Sequence, residues 1–562
     1  MMGCGPTKRS LATGSPTGGP NGCLAARLLL FLVCAAGVGC GASSGSPGGG
    51  SGGSSGSGGS SGNGSGGNSG SGGSSGNGSG GNSSSGGSSG NGSGGSSGSG
   101  GSTGNGSGGA SSGGTTGSGS GGSGVAGGVG ATGGGGRGGN GGTKAMGGET
   151  GGGENCTITA TATMGTIPTV AVVTYTTDLA GITDGQIDFG VTGGATTMTA
   201  PIDTKQATPK TMLLGMKGGK SYTYHLTLKA PAGTCTSKDY TFMTGAVPSS
   251  VPKPTVMIVN AAMHDKGFIV TSGGLMGTTT EILDADGEVV WWATAPSQNS
   301  RSRMSWDASH MYMMALNVDN SGSGKVTYLS MDGSGRTDAT GASGSHHDLT
   351  AIPGGFATPV WNKSGRDAPC SLVEFANDTW KTTTVVADLS SVYNSTTFHT
   401  NAVHYYPSDD TYTIGDRNPN LYVKVSRSGS LIWQFGGTNP KDAKKTFSGV
   451  TTWMVNHGHH LMADGTFLFF NNNANQALGY KLNTTDMTAS KTFMYTASGV
   501  TSMVLGDVQG LPNGNVLITF SNSAQIHEVT PSGALVMKIT TNANSGFGYS
   551  EFRESLYGPP PY

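Results

Sequence analysis

Three histidines and one arginine stand where a repeated turn would bring them together. The turn first reads His347-Asp348-Leu349-Thr350-Ala351-Ile352-Pro353-Gly354-Gly355 and returns as Gly506-Asp507-Val508-Gln509-Gly510-Leu511-Pro512-Asn513-Gly514. The same offset, counted back from Met462-Ala463-Asp464-Gly465, lands on His457, and a longer variant places His399-Thr400-Asn401 ahead of Pro407-Ser408-Asp409-Asp410. A repeat of about 50 residues implies a stacked or radial architecture, in which matched positions converge on one axis. Arg417, in Gly415-Asp416-Arg417-Asn418, belongs to the strand after the one that begins near His399. A guanidinium among imidazoles is a site for an anion, with Asn401 as a neutral donor. Convergent imidazoles can also hold a transition metal, but Arg417 would repel the cation. Few carboxylates accompany the group, which disfavours a glycosidase and a hard-metal oxygen cage.

The elements that position these residues are short strands joined by tight turns. Hairpins recur at Leu283-Asp284-Ala285-Asp286-Gly287-Glu288-Val289, Val425-Ser426-Arg427-Ser428-Gly429-Ser430-Leu431 and Val529-Thr530-Pro531-Ser532-Gly533-Ala534-Leu535. Each is a strand, a polar turn with glycine, and a strand of large apolar residues. Over residues 252–562 this period gives about six blades, hence a six-bladed β-propeller with a central channel. The Leu/Ile-Pro-x-Gly turn follows the innermost strand, so a residue just before that strand sits at the channel mouth. His347, His399 and His457 are therefore expected to meet there. Residues 154–248 carry alternating, β-branched stretches at 169–175 and 186–191. Gly218-Gly219-Lys220-Ser221-Tyr222 then resembles the later half of a fibronectin III-like β-sandwich, with Tyr222 as the corner tyrosine. Gly219-Lys220-Ser221 is no phosphate loop, because Leu214 occupies the required glycine position and a strand follows. The fold class is all-β.

The N-terminal part is of another kind. Lys8, Arg9 and Arg27 precede an apolar run from Leu28 to Val38, too short to span a bilayer. Residues 1–40 therefore read as a signal peptide, and Gly37-Val38-Gly39-Cys40 resembles a lipobox with Cys40 as the lipidated residue. Residues 41–153 are almost wholly Gly, Ser, Asn and Thr, a disordered Gly/Ser linker with no apolar surface to bury. The expected location is outside the cytoplasm, as a membrane-anchored lipoprotein in the periplasm or at the cell surface. Cys156 and Cys235 bracket the small domain and can pair as a disulfide in an oxidising compartment. Cys370 is left as a buried structural thiol. Net charge is −1 with 11% charged residues, which gives no face for nucleic acid and no polybasic membrane patch. The lipid anchor is then the one expected membrane contact. A free propeller face leaves room for a homodimer.

One block of residues resembles a known family. It runs from His399-Thr400-Asn401 through Tyr406-Pro407-Ser408-Asp409-Asp410, Asp416-Arg417 and Lys424-Val425 to Leu431-Ile432-Trp433-Gln434-Phe435-Gly436-Gly437. With His346-His347-Asp348-Leu349 and the closing Tyr549-Ser550-Glu551-Phe552-Arg553-Glu554-Ser555-Leu556-Tyr557, it resembles the bacterial arylsulfate sulfotransferases (ASST). The resemblance covers about residues 156–562. It implies transfer of a sulfuryl group from a phenolic sulfate ester to a phenol through a sulfohistidine, without a nucleotide sulfate donor and without a cofactor or metal. By register, His457 is the nucleophile, with His459 and His460 as alternatives. Arg417, His347 and His399 would hold the sulfuryl oxygens, and Asn401 and His346 would contact substrate. The family commonly has Asp or a small polar residue after the nucleophile, whereas here Gly458 follows. The other readings are a noncatalytic surface propeller that binds a partner and a His–metal hydrolase or lyase on the same fold.

Overall fold

The computed structural model describes residues 156–560, apart from 207, 274–276, 296, 318–323, 364, 366 and 543–545. The signal peptide, Cys40 and the Gly/Ser linker lie outside the described residues. Among the latter the fold is all-β, as expected: a small sandwich followed by six four-stranded antiparallel blades.

The blades follow the repeat. Their innermost strands are Asn299–Met304, Thr350–Ile352, Thr400–Tyr406, Asn456–Leu461 and Asp507–Gly510 in blades 2 to 6, and Glu551–Arg553 in blade 1. The C-terminal strand thus completes the first blade by pairing with Phe268–Ser272, and Thr255–Ile258 adds a fifth, outer strand to blade 6. Both ends of the propeller chain are thereby tied into the ring. Between blades 6 and 1, Phe552 donates its N–H to Gln509 Oε1 at 2.8 Å. The three hairpin turns identified above join the third and fourth strands of their blades, with Gly287, Gly429 and Gly533 at positive φ.

Successive blades bury their large residues against each other. Trp291 meets Met311 and Met313 between blades 1 and 2. Tyr312 meets Phe356 between 2 and 3, and Trp361 and Tyr412 belong to the core shared by 3 and 4. Phe435 meets Phe467 between 4 and 5, Phe470 meets Phe520 between 5 and 6, and Leu517 meets Ile269 between 6 and 1. Six such cores close the ring, and each fully buried large side chain contributes about 1.5–3 kcal/mol.

The sandwich packs a three-stranded sheet (Ile158–Met164, Ala171–Thr177, Lys210–Leu213) on a sheet built around Asp184–Val191 and Ser221–Ala230. Tyr222 is 1% exposed and its hydroxyl accepts from Lys217 N–H at 2.8 Å, the tyrosine corner of such sandwiches. Cys156 and Cys235 are joined by a disulfide with Cα atoms 6.1 Å apart. The sandwich sits against blades 1 and 2. Thr169 Oγ1 donates to Val290 O at 2.6 Å, and Lys217 Nζ reaches Asp286 at 2.6 Å and Glu288 at 3.1 Å.

Candidate active site

The channel core is a ladder of ion pairs. Arg301 Nε meets Asp348 Oδ1 at 2.6 Å, and its Nη1 meets Asp507 Oδ2 at 3.0 Å. Arg303 and Arg553 meet Glu551 at 2.8 and 3.1 Å. All six groups are buried, and the three charges of each sign balance. Buried ions survive only when paired and hydrogen-bonded. Asp348 meets that condition, accepting also from the N–H groups of Leu349 and Val403. This ladder fills the channel and leaves the histidine group at one end of it.

There the expected residues converge. The rings of His347 and His399 lie 4.8 Å apart, with Nε2 atoms 3.3 Å apart, and the ring of His457 is 6.4 Å from that of His347. Arg417 follows directly on the second strand of blade 4, and its N–H donates to His399 O at 3.2 Å. Its guanidinium is close enough to disfavour protonation of both His347 and His457. Asn401 is buried and gives one N–H to Asn456 O at 2.7 Å, while its Oδ1 has no hydrogen-bond partner among the described residues.

His347 is held in an unusual backbone. Its φ is +64°, and Asp348 N–H donates to His346 O at 2.9 Å, which makes a γ-turn centred on His347. That conformation costs a side-chain-bearing residue about 1–3 kcal/mol and is found where function fixes it. The matched residue in blade 6 is Gly506, with φ +100° and no Cβ to strain.

The geometry distinguishes the three histidines of blade 5. A β-bulge between Asn456 and His459 separates them. His457 faces His347 and Arg417. His459 turns to Thr413 Oγ1 at 2.7 Å and the ring of Phe467, and His460 Nδ1 accepts from Gly510 N–H at 3.0 Å. The residue after His457 is glycine for a steric reason: a Cβ there would fall 2.0 Å from Asp507 Oδ1. The departure from the family pattern thus makes room for the carboxylate that pairs with Arg301. His346, expected to contact substrate, lies behind His347 instead. It stacks on Trp361 with centroids 4.1 Å apart and touches Cys370 Sγ at 3.3 Å.

Asn472 is a site residue that the sequence reading missed. Its Nδ2 donates to Ser502 O and Leu505 O, both at 2.7 Å, which fixes the amide so that Oδ1 faces His457. His457 Nδ1 stands 2.6 Å from that oxygen and must donate to it. Burial, then Arg417, push the His457 pKa down to about 3, so the ring is neutral with its one proton on Nδ1. Its Nε2 is left with a free lone pair, the form that a nucleophile needs. Asn472→Ala should let the proton exchange between the two nitrogens and lower kcat on the order of a hundredfold. Asn472→Asp should favour the imidazolium, raise the His457 pKa and move the acid limb of the pH–rate profile upward. A profile measured for both variants checks this.

Among the described residues, no three His, Cys, Asp or Glu side chains are arranged to hold a metal ion. Six blades with imidazoles and a guanidinium gathered at the inner strands define an all-β propeller with a candidate anion site. Residues 373–542, from blade 3 to the end of blade 6, match the family model described as Arylsulfotransferase (ASST). That segment is similar to the family, and the similarity is the support for a general sulfotransferase reading. The matched segment contains His399, Asn401, Arg417, His457 and Asn472. No curated protein matches the chain. Similar solved structures include a streptogramin B lyase, at 12% identity over 53% of this chain and 98% of that one, TM-score 0.31. A catalytically inactive virginiamycin B lyase from Staphylococcus aureus with quinupristin has 12% identity over 54% and 97%, TM-score 0.32. TolB from Acinetobacter baumannii has 11% identity over 60% and 80%, TM-score 0.36.

Proposed function

We propose that the protein is an arylsulfate sulfotransferase that moves a sulfuryl group from a phenolic sulfate ester to a phenol through a sulfohistidine on His457. The carrying observation is the Asn472–His457 pair, which leaves Nε2 unprotonated beside a guanidinium. In the first half-reaction Nε2 attacks sulfur, the bond from sulfur to the phenolic oxygen breaks, and the phenolate leaves with both bonding electrons. In the second, the acceptor phenol loses its proton, its oxygen attacks sulfur, the N–S bond breaks and His457 is restored. His399 accepts that proton and passes it to solvent, from which the released phenolate is reprotonated.

Sulfuryl transfer resembles phosphoryl transfer in its loose transition state, with charge on the peripheral oxygens. Arg417 and His347 are the donors for those oxygens. An open cleft of about 680 Å³ is lined by Phe398 and Asn418, the sequence neighbours of His399 and Arg417, and in this reading it takes the organic group. Export and anchoring through Cys40 remain part of this reading, and the reaction as written requires no cofactor.

The test is phenol release from an aryl sulfate with a coloured leaving group, with and without a second phenol, in the presence of chelator. Acceptor-dependent, chelator-resistant release is expected. Release abolished by chelator would favour a metal-dependent hydrolase, and no release with any donor would favour a binding module. Arg417→Ala should lower kcat by about 10²–10³-fold. Arg417→Lys should recover little, because a point charge does not replace the planar fork.

A further inference from the structure

Cys370 is a buried free thiol, and the reaction above does not use it. It opens the third strand of blade 3, opposite Trp361. Its Sγ is 3.3 Å from His346 Nε2, His346 Nδ1 is 2.7 Å from His347 Nδ1, and His347 Nε2 is 3.3 Å from His399 Nε2. Three contacts therefore run in series from the thiol into the site. Burial keeps His346 and His347 neutral, so each ring carries one proton and each link holds one. Such a series has two proton orders, one the reverse of the other, and its outer end selects between them.

That end is the sulfur. Burial raises the thiol well above its ordinary range, so it keeps its proton. A neutral imidazole nitrogen is a good acceptor, whereas sulfur is a weak one. Stacking on Trp361, at an interplanar angle of 16°, holds the His346 ring in the plane that both contacts need.

We propose that Cys370 is a positioning residue: by donating its S–H to His346 Nε2, it fixes the proton order of the His346–His347 pair. His346 Nδ1–H then donates to His347 Nδ1, and His347 presents Nε2–H to a sulfuryl oxygen. His399 keeps an unprotonated Nε2 toward the site, ready to take the acceptor's proton. The inference rests on the sulfotransferase reading for its substrate and on the contacts alone for its proton order.

The experiment combines two readouts on the full chain, with thermal melts to show that each variant is folded. The ¹⁵N resonances of ¹⁵N-histidine-labelled, substrate-free protein should show His346 protonated at Nδ1 and His347 at Nε2. Cys370→Ala should give a mixture of tautomers and lower kcat tenfold or more, on the order expected for loss of a group that orients an active-site histidine. Cys370→Ser, whose hydroxyl can donate in the same direction, should keep the wild-type tautomers and most of kcat. The reverse proton order in the wild type would overturn the proposal. So would a Cys370→Ala protein with unchanged tautomers and kcat, or a serine variant that falls as far as alanine, which would mark a packing role. A wild type without sulfuryl transfer would overturn the sulfotransferase reading and remove the assigned partner of His347, while the resonances would still decide the proton order.

Discussion

Replacing His457 by alanine is expected to lower acceptor-dependent phenol release by at least about 10⁴-fold, because the group that forms the covalent intermediate is gone. Substrate binding should change far less, since in the proposed reaction Arg417 and His347 are the donors to the sulfuryl oxygens. The loss should therefore appear in kcat rather than in KM. His459→Ala and His460→Ala should each retain activity within about an order of magnitude, as their rings face Phe467 and Gly510 instead of the anion site. Steady-state kinetics of the three variants, with circular dichroism to show an intact fold, check this. A His457→Ala protein that still transfers would contradict the assignment of the nucleophile. The place of His457 as nucleophile rests on more than register. It follows from the fixed amide of Asn472, which determines where the His457 proton sits.

Stability should fall steeply as pH drops below about 6.5, the pKa of an unfolded histidine. His346, His347, His404, His457, His459 and His460 line the channel or its wall, and burial pushes the pKa of each down, to about 3 for His346 and His457 and about 4 for His460. The native state excludes protons that the unfolded state binds, so the stability these neutral rings provide is present above about 6.5 and is lost on acidification. Each contributes a slope of up to about 1.4 kcal/mol per pH unit. His527, lowered to about 4 by burial, adds to them, and three buried carboxylates act in the opposite sense: burial raises Glu281 to about 8 and Asp416 and Asp507 to about 6, so below those values the folded state takes up protons first. The balance leaves about four groups, or up to about 5 kcal/mol per pH unit near pH 5. Total stabilities of roughly 5–15 kcal/mol are exhausted within a few units at that slope. Urea midpoints measured from pH 7.5 to 4.5 should decrease throughout the acid half of the range. A midpoint constant between pH 6.5 and 5 would contradict the neutral, buried state of the channel histidines.

Much of this was legible because a propeller repeats. The Leu/Ile-Pro-x-Gly turn marks the end of an inner strand, so counting back from it placed His347 and His457 at one level of the channel. The His399 variant sits one strand start further on, directly before Thr400–Tyr406. The closing strand was harder to see. Glu551–Arg553 has only three residues, and nothing in its charged side chains marks an inner strand until the fold brings Arg303 against Glu551. Asn472 was missed because Asn471-Asn472-Asn473 has the composition of a polar turn. Only the fold puts it beside His457 and sets two backbone carbonyls to orient it. His346 stands one layer further back than expected, because adjacency in sequence to His347 does not reveal the γ-turn that sets the His346 ring against Trp361 and Cys370. Gly458 read as a departure from a family pattern, whereas Asp507, a blade away, accounts for it.

The most direct measurement is to mix the protein with a stoichiometric amount of aryl sulfate in the absence of acceptor, quench under alkaline conditions that spare N-sulfonates, and map the adduct by peptide mass spectrometry. A sulfuryl group on His457, formed with the burst of phenol and discharged when a second phenol is added, is the expected result. An adduct on another residue, or a burst with no adduct at all, would contradict transfer through His457.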